Sequence, residues 1–118
     1  MPQTKDLVRL RHMLEYAREA VELIKGKSRE SLDSERLLGL ALVRLMEILG
    51  EAANRVSLEY QSRHPSIPWS QIVSLRNRLI HGYDSVDMDI LWQILKHDLP
   101  GLIEELQKIF SQEPGNSP

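Results

Sequence analysis

Apolar residues recurring every third or fourth position in four separate stretches, with glycine and proline punctuating them, predict an all-α antiparallel bundle of four to five helices. The chain has 118 residues, 42% of them hydrophobic, which suits one core and is too short for two domains. The predicted domain covers residues 1–112. The last residues, 113–118, lack any apolar side chain and are expected to form a mobile tail.

The first helix is predicted from near Thr4, because Leu7, Leu10, Leu14, Ala17, Val21 and Ile24 alternate steps of three and four in a heptad-like seam. Met13 and Ala20 widen that seam, so the helix should pack in a bundle and stop at Gly26. His12 and Tyr16 sit one turn apart as a surface pair, with no third group to complete a metal site. Residues 28–33 are polar and read as a connection or a loose first turn. A long second helix from about Ser34 carries Leu38, Ala41, Leu42, Leu45, Ile48, Leu49, Ala52 and Val56 on one face. Gly50 in its interior costs about 1 kcal/mol relative to alanine, which points to a bend or to close approach by another backbone. Glu51 and Arg55 are spaced for an i,i+4 ion pair.

Pro65 and Pro68 break the helical run, and Pro68 is placed to open a third helix. Trp69 reads as a core or dimer-contact residue and His64 as a loop or capping residue. The third helix should carry Ile72, Val73, Leu75, Leu79 and Ile80 as its stripe, with Arg76 inside it, and end in a left-handed cap at Gly82. An inward guanidinium requires a carboxylate or a phosphate. Asp87 is the expected N-cap of the last helix and Asp89 lies in its first turn. Leu91, Leu95, Leu99, Leu102, Leu106 and Ile109 continue it, with a kink or restart expected at Pro100 and Gly101.

Composition removes several functions. With 15 Lys plus Arg against 17 Asp plus Glu, the formal charge of −2 lacks the general basic character of a nonspecific nucleic-acid binder, so any RNA site must be a local concentration of arginine. No cysteine is present, which excludes disulfides, thiolate catalysis and cysteine zinc sites and fits a reducing cytoplasm best. No apolar run approaches the roughly 18 residues of a membrane span, and no signal-peptide core is visible. The sequence also lacks H-E-x-x-H, a glycine-rich phosphate loop and carboxylates at metal spacing, so no metal or cofactor is expected.

What remains is the stretch Ser74-Leu75-Arg76-Asn77-Arg78-Leu79-Ile80-His81-Gly82-Tyr83. Taken alone, Arg76 and His81 also fit a buried arginine paired with an acid and a histidine ending a helix. The stretch resembles, residue for residue, the R-x4-H-x-Y motif of the HepT toxins, a branch of the HEPN superfamily of small helical ribonucleases. Arg76, His81 and Tyr83 fit the motif, and Asn77 is the polar residue that usually follows the arginine. The likeness extends through Glu47-Ile48-Leu49-Gly50-Glu51-Ala52-Ala53, Arg63-His64-Pro65, Ile67-Pro68-Trp69 and Asp98-Leu99-Pro100, spanning roughly Arg36 to Leu106.

The resemblance implies a homodimer that brings two motifs to one cleft, which supplies the second proton-transfer group that a lone histidine lacks. RNA would be cleaved without a metal, tRNA being one candidate substrate, with His81 as acid or base, Arg76 stabilising the phosphate and Asn77 orienting. Beside the motif, Arg78 reads either as a further attraction for the substrate phosphates or as a solvated arginine. The family further implies a type VII toxin–antitoxin system whose MNT-type nucleotidyltransferase antitoxin uses its own ATP and magnesium to transfer AMP to the motif tyrosine, here Tyr83. The competing reading is a non-catalytic helical module that presents substrate to a nucleotidyltransferase; relatives of that kind generally lack the arginine and histidine, and both are intact here.

Overall fold

The computed structural model describes residues 4–83 and 85–112, and over them the chain forms the all-α bundle that the periodicity predicts. The expected tail at 113–118 lies outside the described residues. Two long helices, α1 (Thr4–Leu23) and α3 (Arg36–Asn54), pack along each other and carry much of the core. On α1, Leu10, Met13, Leu14, Ala17 and Ala20 are buried, as is Ile24 just past its end, whereas Leu7 and Val21 are only half-buried. The seam is therefore a broad core-facing stripe of the kind a globular bundle needs, wider than a two-stranded coiled coil would use. Gly26, at φ +73°, supplies the left-handed residue that turns the chain beyond α1.

The polar stretch after Gly26 contains one short turn, α2 (Ser31–Ser34), which buries Leu32. The second long helix stops at Asn54, earlier than the apolar pattern implies, and a separate helix, α4 (Leu58–Arg63), follows. Ser57 caps it, its Oγ accepting from the Tyr60 N–H at 3.2 Å. Buried Asp6 on α1 completes a relay, accepting from the Ser57 N–H and from the Ser57 hydroxyl, both at 2.8 Å. No ion pair joins Glu51 to Arg55 among the described residues; both side chains are exposed.

The predicted third helix is two short ones, α5 (Trp69–Val73) and α6 (Leu75–Leu79), hinged at Ser74. Trp69 is a core residue whose indole donates to the His64 carbonyl at 3.0 Å. Beyond Leu79 the backbone becomes extended at Ile80, and β1 (Ile80–His81) pairs antiparallel with β2 (Ser85–Val86), Ile80 opposite Val86 and His81 opposite Ser85. Gly82 is left-handed as expected, at φ +79°, but it turns a small hairpin where a helix cap was predicted. The hairpin wins because it pairs backbone groups that helix termini leave open: the Asp87 N–H donates to the Leu79 carbonyl at 2.8 Å.

After β2, α7 (Met88–Gln93) starts at Asp87, whose carboxylate accepts from the Ile90 N–H at 3.0 Å, the predicted N-cap. It runs through a π-helical segment (Ile94–Asp98) into α8 (Leu99–Gln112). The interruption expected near Pro100 takes this form. Proline lacks an N–H and its ring crowds the carbonyl four residues back, and one widened turn, in which the Leu99 N–H reaches the Ile94 carbonyl, accommodates it without ending the helix. Leu91, Leu95, Leu99, Leu102, Leu106 and Ile109 all remain buried across it. No helix among the described residues is long and apolar enough to cross a membrane.

Candidate active site

Gly50 sets the distance between the two elements that carry the site. A β-carbon there would stand 2.9 Å from the Ile72 carbonyl oxygen, so only glycine lets α3 approach α5 this closely. Glu47, one turn before Gly50 on α3, and Arg76, on α6 just past the break at Ser74, then come into reach. The Arg76 Nε donates to Glu47 Oε2 at 3.3 Å. Together with Gly50, Glu51, Asn54, Val73 and Asn77 they line an open groove of about 190 Å³.

Arg76 is not inside the apolar stripe. Its side chain is 66% exposed, while Ile72, Leu75 and Leu79 are the buried residues of α5 and α6. The buried arc centres on those three, so Arg76 falls on its rim, and two five-residue helices leave a narrower covered face than one continuous helix would. The guanidinium therefore meets a carboxylate, as expected, but at the surface.

Asn77 is exposed and opens on the same groove. Continued helix geometry would place Asn77 one turn before His81, but the helix ends between them at Leu79 and His81 lies on β1. His81 projects from β1 with its side chain 58% exposed, and its Nε2 stands 3.9 Å from Asp87 Oδ2. That separation exceeds a hydrogen bond, so the contact is an ion pair only in the protonated form of the ring. Asp87 itself is held by its cap bond and its backbone bond to Leu79. Arg78 turns away from the groove to the π-helical segment, where its guanidinium lies 3.9 Å from Asp98. Tyr83 occupies the hairpin turn and is 98% exposed.

The structure thus brings Arg76 and Asn77 to one groove, places His81 and Tyr83 on the hairpin that follows directly, and sends Arg78 to another face. Glu47 and Glu51 were not recognised as site residues from their own pattern. The available signal was Gly50: a glycine that admits a neighbouring backbone also brings to that neighbour the residues one turn before and after it, Glu47 and Asn54, and the adjoining Glu51. Among the described residues no cluster of three or more His, Asp or Glu side chains could hold a metal ion.

An arginine and an amide on a solvent-facing groove, with a histidine on the hairpin that follows, offer donors of the kind a phosphodiester accepts. The model of the ribonuclease HepT-like family matches residues 13–109. The chain belongs to that family. Among its relatives, a Thermococcus cleftensis protein named "Probable ribonuclease HepT" is 36% identical over 100 residues, 81% of this chain and 91% of its own length. A Caldanaerobacter subterraneus protein named as a candidate RNase is 33% identical over 104 residues, covering 88% of this chain and 93% of that one. A candidate RNase of Methanocaldococcus jannaschii is 33% identical over 95 residues, 80% and 87% of the two chains. No solved structure matches. The HepT-like assignment makes this helical chain a member of a ribonuclease family, with the motif lying inside the matched region.

Proposed function

We propose that this HepT-like chain is the toxin of a type VII toxin–antitoxin pair and cleaves RNA without a metal at a composite site between two copies. In the reaction a base removes the proton of a ribose 2′-hydroxyl and that oxygen attacks the adjacent phosphorus. The bond to the 5′-oxygen breaks as an acid returns a proton to it, leaving a 2′,3′-cyclic phosphate and a 5′-hydroxyl. His81 acts as acid or base, with the second such group coming from the other copy. Arg76 neutralises the phosphoryl oxygens and Asn77 orients the reacting group, while Arg78, beside Asp98 and away from the groove, would meet the RNA backbone only beyond the scissile phosphate.

The observation that carries the reading is the open groove in which Arg76 and Asn77 face solvent, followed at once by the hairpin that exposes His81. The second copy is supported by the outer face of α3, where Leu37 and Leu40 are exposed on the same helix that carries Glu47 and Glu51 into the groove. Tyr83, on the hairpin turn two residues past His81, is the acceptor of AMP from an MNT-type nucleotidyltransferase antitoxin, which brings the ATP and magnesium. The added phosphate and base would occupy and charge the mouth of the cleft.

The test is incubation of the purified protein with total RNA and with tRNA in EDTA, beside Arg76→Ala and His81→Ala. Cleavage by the wild type, reduced about 10²-fold or more in each variant, is expected. Equal cleavage by all three proteins would remove both residues from the chemistry.

A further inference from the structure

We propose that Glu47 is a positioning residue for Arg76, an inference that rests on the ribonuclease reading above. The groove that holds Arg76 contains two carboxylates, Glu47 and Glu51, against one guanidinium. Its charge alone would not draw in a phosphate. What it does supply is direction. The ion pair uses Nε of Arg76, and among the described residues Arg76 makes no other hydrogen bond or ion pair. The two terminal nitrogens, with four N–H groups between them, are left as a fork for a phosphate.

Glu47 is the better-held partner. Its side chain is 21% exposed against 66% for Arg76, and it sits one turn from Gly50, where α3 is pressed against the Ile72 carbonyl. Gly50 fixes α3 against α5 at Ile72, and the pair between Glu47 and Arg76 joins α3 to α6, which follows α5 after the single residue Ser74. A surface pair of this kind adds little to stability. Its value lies in confining a long, rotatable side chain, since an error of about 1 Å in a stabilising group can cost about a hundredfold in rate. Glu47 touches neither RNA nor the reacting atoms in this scheme; it acts through Arg76.

Two measurements on the full chain test this. In steady-state cleavage of a fluorogenic RNA, Glu47→Ala is expected to lower kcat about 10- to 100-fold with a much smaller change in KM. Glu47→Gln, whose amide oxygen can still accept from Nε, should retain most of the rate. Glu47→Ala combined with Arg76→Ala should be no slower than Arg76→Ala alone, because the first change acts through the second. Nitrogen-15 NMR of the arginine Nε–H groups provides the readout that needs no activity: the Arg76 signal, identified by its loss in Arg76→Lys, should exchange with water faster in Glu47→Ala than in the wild type. Unchanged kcat in Glu47→Ala, additive losses in the double variant, or unchanged exchange of the Arg76 signal would each overturn the proposal. If the wild type cleaves no RNA, the ribonuclease reading itself fails, and the exchange comparison alone decides whether Glu47 holds Arg76.

Discussion

Asp6 and Tyr83 mark the two extremes of what a single side chain does in this molecule. Asp6 is buried and bonded twice to Ser57, linking the start of α1 to the cap of α4, 51 residues away. Asp6→Ala should destabilise the fold by about 2 kcal/mol, since it removes two bonds to a charged acceptor and leaves the Ser57 donors short of a partner. Asp6→Asn should cost less, and chemical denaturation of both variants measures the difference. Tyr83 is almost wholly exposed, so Tyr83→Phe should leave stability within about 0.5 kcal/mol of wild type. Incubated with an MNT-type partner, ATP and magnesium, the wild type should gain mass in AMP units and lose its cleavage, while Tyr83→Phe remains unmodified and active. Mass spectrometry locating the adduct on Tyr16 or Tyr60 would contradict this. At this scale the sequence was informative where a residue's chemistry decides its role, as for the cap at Asp87. It was less informative for Asp6: the step of four to Leu10 places it on the buried stripe, but its partner Ser57 is distant in sequence and no local pattern names it.

At the scale of elements, α3 and α5 approach closely at Gly50. Gly50→Ala would gain up to about 1 kcal/mol of helix propensity but force a methyl to 2.9 Å from the Ile72 carbonyl, where overpacking typically costs about 1–3 kcal/mol. A net loss of thermal stability is expected, with a larger loss of cleavage as Arg76 and Glu47 are pushed out of register; a variant as stable and active as wild type would show that the helices can separate freely. This contact was legible, because an interior glycine is costly unless a neighbour requires it. The division of the third helix was not. Ile72, Val73, Leu75, Leu79 and Ile80 have helical spacing, yet the stripe predicted from it places Arg76 inward, and the break at Ser74 with the strand at Ile80 puts it on the rim. Local periodicity cannot register a two-residue strand whose stability comes from Ser85 and Val86 across the turn. The same limit hid α4, whose start depends on Ser57 and its bonds to Tyr60 and Asp6.

For the whole molecule, the class of fold was the most legible feature, since broad apolar stripes on α1, α3 and α8 leave a bundle as the way to cover them. Leu37 and Leu40 are 81% and 52% exposed, and one copy of His81 cannot act as acid and base at once. Light scattering at micromolar concentration should give twice the chain mass, and Leu37→Glu with Leu40→Glu should reduce both the dimer and the cleavage while each chain stays folded; a wild-type monomer that cleaves at full rate would remove the composite site. The most direct test of the central claim, metal-free attack by the ribose 2′-hydroxyl at the Arg76 and His81 site, is analysis of the RNA ends produced in EDTA. The account predicts 2′,3′-cyclic phosphates paired with 5′-hydroxyls, absent with His81→Ala. Fragments bearing 5′-phosphates, or cleavage that stops in EDTA and returns with magnesium, would contradict it.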